Sequence, residues 1–553
     1  MFSFRKSVIA AMAVGMIFTF GACKRDVSGV TAQGVTSSWK VDDVNSLLEY
    51  VPADAPIVVA TTRNFNIDSP EIKSFLEKAL VYQEKTMAQL NTVQDPDAKQ
   101  MVDAAKKAME SYAALLKDYK NEAVNWGLEP SGRQDSVTYI SKTHIVGHAT
   151  VVDADKLKGK LQALLDGYLS MGESKLFKSK TIGSDDNAWT LYQPDQMPGA
   201  ELSLPSFVLR FHKNLVTFVV VQGEPDVNTL ADLVKPVAKG LSKDALGKIG
   251  KDAAAVGFAD NANLVDLLQI PAVKAILNAA DIELDDACVP EFKALAANFP
   301  RIHFVERLLK DGVMLADSTL VFSDKAELKK LQALHAGSVD LKSAKTLANL
   351  SINLQLDKAI PYLSDLSKAV AAKNFKCGML SDFSRQLSSL PKMASDPDVT
   401  KYASAVSSIG VIVDDFNMET KKVDASLMIS GDKLGELVPE ISQMLSAMSM
   451  PVDIKKDEVT KFDLEPMIGW PVSLDMTYGN TDFAMATTGH DVKAMTKLSK
   501  TTSTDFVQLG LALKLFSTFI MTEADGLPLD DGHYGISFGT NDDGLRLTFS
   551  FKM

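Results

Sequence analysis

Six stretches of this chain carry two apolar runs joined by a polar turn: Ser136 to Val152, Phe207 to Gln222, Phe304 to Phe322, Ile409 to Ile429, Val472 to Thr488 and Tyr534 to Phe551. The last turns at Asn541-Asp542-Asp543-Gly544. Such pairs predict β-hairpins. After most of them comes an aspartate and then a leucine-rich stretch of helical period. Asp153 or Asp155 precedes Leu157, Leu161 and Leu164; Asp226 precedes Leu230; Asp260 precedes Leu264; Asp324 precedes Leu328; Asp357 precedes Ile360; Asp432 precedes Leu434; Asp491 precedes Met495. An aspartate at a helix start accepts hydrogen bonds from free backbone N–H groups and sits at the positive end of the dipole, so these side chains read as caps rather than as acids.

The order strand, helices, hairpin, helix recurs from near Ile57, near Ala254 and near Leu347, giving three degenerate copies of about 90 to 110 residues with extra hairpins. The expected fold is α+β, with repeated units forming an antiparallel sheet and helices packed on one face. The expected divisions are an N-terminal α+β domain over 41–245, a second unit over 246–345 and a C-terminal α+β region over 346–553. The first carries a helical hairpin, 69–90 and 95–121, in which Met101, Ala105, Ala108, Tyr112, Leu115 and Tyr119 share one face. That face packs on the protein's own sheet or binds a partner helix.

The chain opens with Arg5 and Lys6, an uncharged apolar run from Val8 to Phe20, and the small pair Gly21-Ala22 set before Cys23. The run has the length of a signal peptide and is too short to span a bilayer. Phe20-Gly21-Ala22-Cys23 resembles the lipobox of bacterial lipoproteins. The resemblance implies removal of 1–22, acylation of Cys23, a lipidated flexible spacer over 23–40, and membrane attachment through acyl chains. In that class an Asp after the cysteine holds the protein in the inner membrane. Lys24 stands there, which implies the outer membrane, facing the periplasm or the cell surface. Ordinary secretory cleavage would instead leave Cys23 a plain thiol.

A net charge of -12 without a clustered basic surface argues against a nucleic-acid partner. It would also repel anionic headgroups, and no later stretch is apolar for about 18 residues, which leaves Cys23 as the anchor. Of the three cysteines, Cys23 is assigned to lipid and Cys288 and Cys377 remain as an even pair. Outside the cytoplasm a bridge between them is expected, the other reading being two buried thiols.

A search for chemistry returns little. His144 and His148 have helical metal spacing but lie in a β-type run, where four residues span about 13 Å. His212, His303, His335, His490 and His533 are isolated in sequence. Gly247 to Lys251 ends like a phosphate loop but lacks its first glycine, and Asp252 replaces the hydroxyl residue. Ser389 and Lys392 have the Ser-x-x-Lys spacing without its companion motifs. Asp525, Asp530, Asp531, Asp542 and Asp543 read as solvated turns rather than a calcium loop. No catalytic residue, metal or cofactor is expected. The run Phe506 to Met521 reads as a helix buried nearly all round, either a core helix or one wall of an apolar cavity. The expected function is a noncatalytic binding or structural role in the envelope, toward a protein or an apolar ligand. The alternatives are a carrier of lipid and an enzyme with a dispersed site.

Overall fold

The computed structural model describes residues 46–63, 117–130, 134–141, 144–169, 177–184, 187–194, 206–221, 224–241, 253–267, 287–308, 313–339, 346–417, 420–447, 452–496, 500–502, 504–512 and 533–552, with isolated positions between them. Each of the six expected hairpins is a strand pair. β1 is Ile57–Arg63, β2 Gln134–Ile140, β3 Ile145–Thr150, β4 Phe177–Ile182, β5 Trp189–Pro194, β6 Ser206–His212 and β7 Leu215–Val221. Next come β8 (Ala253–Asp260), β9 (Arg301–Leu308), β10 (Val313–Val321) and β11 (Gly337–Val339). The rest are β12 (Ala348–Asn353), β13 (Ser408–Asn417), β14 (Lys422–Ser430), β15 (Thr460–Asp463), β16 (Ser473–Tyr478), β17 (Asp482–Thr487), β18 (Lys500–Thr502), β19 (Asp505–Ala512), β20 (His533–Thr540) and β21 (Gly544–Lys552).

Nineteen of these strands join one antiparallel sheet, while β11 and β18 pair separately. Followed pair by pair, the sheet runs β4-β5-β6-β7-β3-β2-β1-β8-β9-β10 and then β21-β20-β19-β12-β13-β14-β17-β16-β15. Strand–helix–hairpin–helix order does start at β1, β8 and β12, but the sheet groups the strands as two halves. β1, β2, β3, β5, β6, β7, β8, β9 and β10 take the same places, in the same chain order, as β12, β13, β14, β15, β16, β17, β19, β20 and β21. The halves meet at the β10–β21 ladder, where Asp317 lies opposite Thr548. The outer strands β4 and β15 carry exposed Lys178, Lys180 and Lys461, charges that discourage edge-to-edge pairing.

Helices are not confined to one face. The helix Leu434–Ala447 sets Leu434 and Val438 against Phe483 and Met485, whereas Val492–Met495 packs Val492 on Ala484 and Ala486 of the same strand. Successive residues of a strand point to opposite sides, so these helices lie on opposite faces. The first half repeats the arrangement. Leu157 and Leu161 of Ala154–Leu169 pack with Phe211 and Val216, while Leu230 of Val227–Leu233 joins Val208 and Val219. Strands covered on both sides read as unbroken apolar runs, as in β8, where Ala253 to Ala259 are all buried.

Cys288 begins the helix Cys288–Asn298 of the first half, and Cys377 is the N-cap of Gly378–Leu387 in the second. Their sulfurs lie at bonding distance with Cα atoms 4.4 Å apart. The pair is packed among Phe292, Leu295, Phe375 and Leu380. The Glu291 carboxylate accepts the backbone N–H groups of Lys376 and Cys377 at 2.8 and 3.0 Å.

Candidate functional site

Among the described residues, the central strands combine period-two alternation with little helical cover. On β20, Tyr534, Ile536 and Phe538 point to one side and Gly535, Ser537 and Gly539 to the other. The register sets Ile536 between Leu509 of β19 and Phe549 of β21, Phe538 between Val507 and Leu547, and Tyr534 between Leu511 and Phe551. β12 extends the surface with Leu350 opposite Leu509 and Ile352 opposite Val507. Beyond β21 it continues through Ala316, Ser318 and Leu320 of β10. Tyr534, Ile536, Phe538 and Phe549 remain 45, 41, 41 and 45 % exposed, although every one stands in the interior of the sheet. Clustered apolar exposure of this kind marks an interaction surface, whereas scattered single residues do not.

The reverse side of the same strands is ionic. Arg307 pairs with Asp317, which also accepts from Thr548, and Arg546 bonds Asp505 at 2.7 Å. The alternation therefore sets these ion pairs on the side away from Tyr534, Ile536, Phe538 and Phe549, while Glu306 of β9, opposite Ala316, lies on the apolar side. At one end the face is closed: Leu334, Ala359 and Tyr362 pack with Phe506, Val507 and Leu545, and His335 stacks on Phe506 at 4.0 Å. Further out, the Ala154–Leu169 and Leu434–Ala447 helices cover this same side. Between them lies the exposed apolar stretch. A strand of eight residues is about 26 Å long, more than half the ~30 Å hydrocarbon depth of a bilayer, so it offers length enough for an acyl chain laid along it.

The segment expected as a buried helix contributes a strand instead. Asp505–Ala512 is β19, and residues 513 to 532 lie outside the described residues. Leu509 and Leu511 alternate with Gln508 and Gly510, and that period of two belongs to a strand. Among the described residues, the apolar surface beside Phe506 is accordingly an open sheet face.

Cys23, the loop 247–251, Asp525, Asp530, Asp531 and most of the helical hairpin lie outside the described residues. Asp542 and Asp543 form the β20–β21 turn, where their carbonyls accept from Lys325 Nζ at 3.3 and 3.2 Å. His148, 1 % exposed, bonds Thr217 Oγ1 through Nδ1 at 3.0 Å and packs on Tyr50 and Tyr139. Burial lowers its pKa to about 4, so it is neutral at pH 7. Thr217 is equally buried. A cavity of about 300 Å³ lies beside it, lined by Tyr50, Arg210, His212, Lys213, Thr217 and Val234; its wall is polar and cationic rather than apolar. His490, isolated in sequence, meets Asp424 across neighbouring strands.

No protein-family model matches the chain, and no curated protein matches it. A solved structure described as crystal form III of TP0453 aligns over 54% of this chain and 89% of its own, at 7% identity and a TM-score of 0.24. At that score the likeness assigns neither fold nor function.

Proposed function

We propose that this protein is a lipid-anchored component of the bacterial envelope that works without catalysis, holding an apolar ligand with acyl chains against the open face of its sheet. The observation that carries the reading is the row Tyr534, Ile536, Phe538 and Phe549, left exposed in mid-sheet while the Arg307–Asp317 and Arg546–Asp505 pairs lie on the reverse side. The face offers few polar side chains, and the backbone groups beneath it are spent in the strand ladders. Recognition there must therefore come from burial of apolar surface, at roughly 25 cal/mol per Å². The anchor rests on Gly21-Ala22-Cys23. Lys24 favours the outer membrane over the inner.

Two measurements test the reading. Cys23→Ser should move the protein out of the membrane fraction, since acyl chains contribute about 0.8 kcal/mol per buried methylene and supply the attachment. The body from Lys24 onward, purified without detergent and extracted with organic solvent, should yield stoichiometric acyl lipid by mass spectrometry. The Phe538→Lys variant should yield little. Equal lipid in both, or none in either, contradicts the proposal. A lipid-free dimer that dissociates on Phe538→Lys would assign the face to a second copy of the chain.

A further inference from the structure

The β13–β14 hairpin departs from its own register close to its turn. Val413 lies opposite Ala425, but the next pair is Asp415 with Asp424, so Asp414 is an extra residue. A bulge of this kind interrupts the ladder and re-aims a side chain, and bulges concentrate beside functional sites. Here the bulge sets two aspartates of one strand against one aspartate of its neighbour. Lys422 takes Asp415, its Nζ 2.7 Å from Asp415 Oδ2. Asp414 and Asp424 are left to each other and to His490, which comes from the turn after β17, the next strand in the sheet.

We infer that Asp414, Asp424 and His490 form a divalent-cation site of the zinc type. One potential ligand atom from each residue lies within 4.8 Å of the other two, although they are separated by up to 76 positions in sequence. His490 directs Nε2 at Asp424 Oδ1, at 2.5 Å. The same oxygen accepts Thr487 Oγ1 at 3.0 Å, an outer contact of the sort that orients a ligating carboxylate. Asp414 Oδ1 is buried and has no hydrogen-bond partner. A carboxylate oxygen withdrawn from water without a donor is costly, and a cation bound between the three groups supplies the missing interaction. Two carboxylates with one imidazole suit zinc or a neighbouring transition metal better than magnesium, which favours an all-oxygen shell with several waters. His490 and Asp424 are about one-third exposed, leaving a position for water or an incoming ligand.

The fold itself does not require these residues. At the corresponding turn end of the β2–β3 hairpin, the first half places Ile140 opposite Ile145, without a register shift. The acidic pair and the bulge are thus additions to the second half. The site lies off the exposed apolar row, and its existence does not depend on what that row binds.

The test is calorimetric titration of Zn²⁺ into the purified full chain, produced without a histidine tag. One equivalent should bind, and Asp414→Asn and His490→Gln should each weaken it at least tenfold. Asp415→Asn, whose side chain is held by Lys422, should bind as the unaltered chain does. Millimolar Mg²⁺ should not compete. Circular dichroism confirms that the variants are folded. If one is not, protection of His490 in the unaltered chain from diethylpyrocarbonate by one equivalent of Zn²⁺ decides in its place. Absence of stoichiometric binding, binding indifferent to both substitutions, or no protection of His490 overturns the site.

Discussion

Reduction of the Cys288–Cys377 pair should lower stability by a predictable amount. The two cysteines are 89 positions apart, and the chain-entropy relation for a loop of that length gives about 4.6 kcal/mol. The figure is an upper bound on this account. Leu380, Phe292 and Leu295 hold the two helix ends together without the bond, and so do the two N–H groups that the Glu291 carboxylate accepts. Unfolding entropy is roughly 2.1 cal/mol/K per residue, so if all 553 residues melt together the loss corresponds to about 4 °C. If the halves melt separately, the shift in the affected half approaches about 8 °C. Differential scanning calorimetry of the Cys288→Ala/Cys377→Ala double variant against the oxidised protein measures it. Because the cysteines are 1 and 0 % exposed, reductant should act only as the region opens, and the double variant is the cleaner comparison. Two free thiols in alkylated, unreduced protein, or a shift below about 1 °C against the upper limits of about 4 and 8 °C, would refute the reasoning.

Two further outcomes are expected. His148 is neutral in the fold with its pKa lowered to about 4 from the usual 6.5, so the unfolded chain binds the proton first as pH falls. Stability should be unaffected by this group above about pH 6.5 and should decline from there to about pH 4, by about 3 kcal/mol in all; His148→Gln, followed by urea denaturation across that range, should flatten the decline. Gly544 opens β21 at the seam of the two halves, where a Cβ would lie 1.8 Å from the Leu320 carbonyl oxygen. Gly544→Ala should therefore cost about 1 to 3 kcal/mol and broaden the melting transition, whereas an unchanged melt would contradict the placing of the seam.

Local signals in the sequence translated well into structure. The hairpins follow from alternation and turn residues, and Asp226, Asp324 and Asp491 do cap helices, Asp226 and Asp324 each accepting two backbone N–H groups and Asp491 that of Ala494. Asp357 does not, because Gln355, two residues earlier, is the N-cap and Asp357 lies within the first turn. Non-local order was not legible. Nothing in the spacing of residues says that β10 pairs with β21 across more than 200 positions, and so the two-half grouping looked like three copies. The period-two pattern of Leu509 and Leu511 was masked by the apolar residues that follow it, Phe516, Phe519 and Ile520, which suggest a helix. The Tyr534 to Phe551 hairpin was legible from its apolar runs and turn, but whether another element covers one of its sides is a tertiary fact. The Asp414, Asp424 and His490 cluster had no sequence signature, since it depends on a bulge and on strands neighbouring only in the sheet.

The open apolar face is the centre of the functional account, and titration of the body from Lys24 onward with a fluorescent polyene fatty acid tests it most directly. The unaltered body should bind saturably with enhanced emission, and so should Asn349→Lys, which adds a charge at an exposed position on the reverse side of the sheet. Ile536→Lys places the same charge amid Leu509 and Phe549 and should weaken binding at least tenfold, about 1.4 kcal/mol. Equal affinity in all three proteins, or no binding by the unaltered body, would contradict the account.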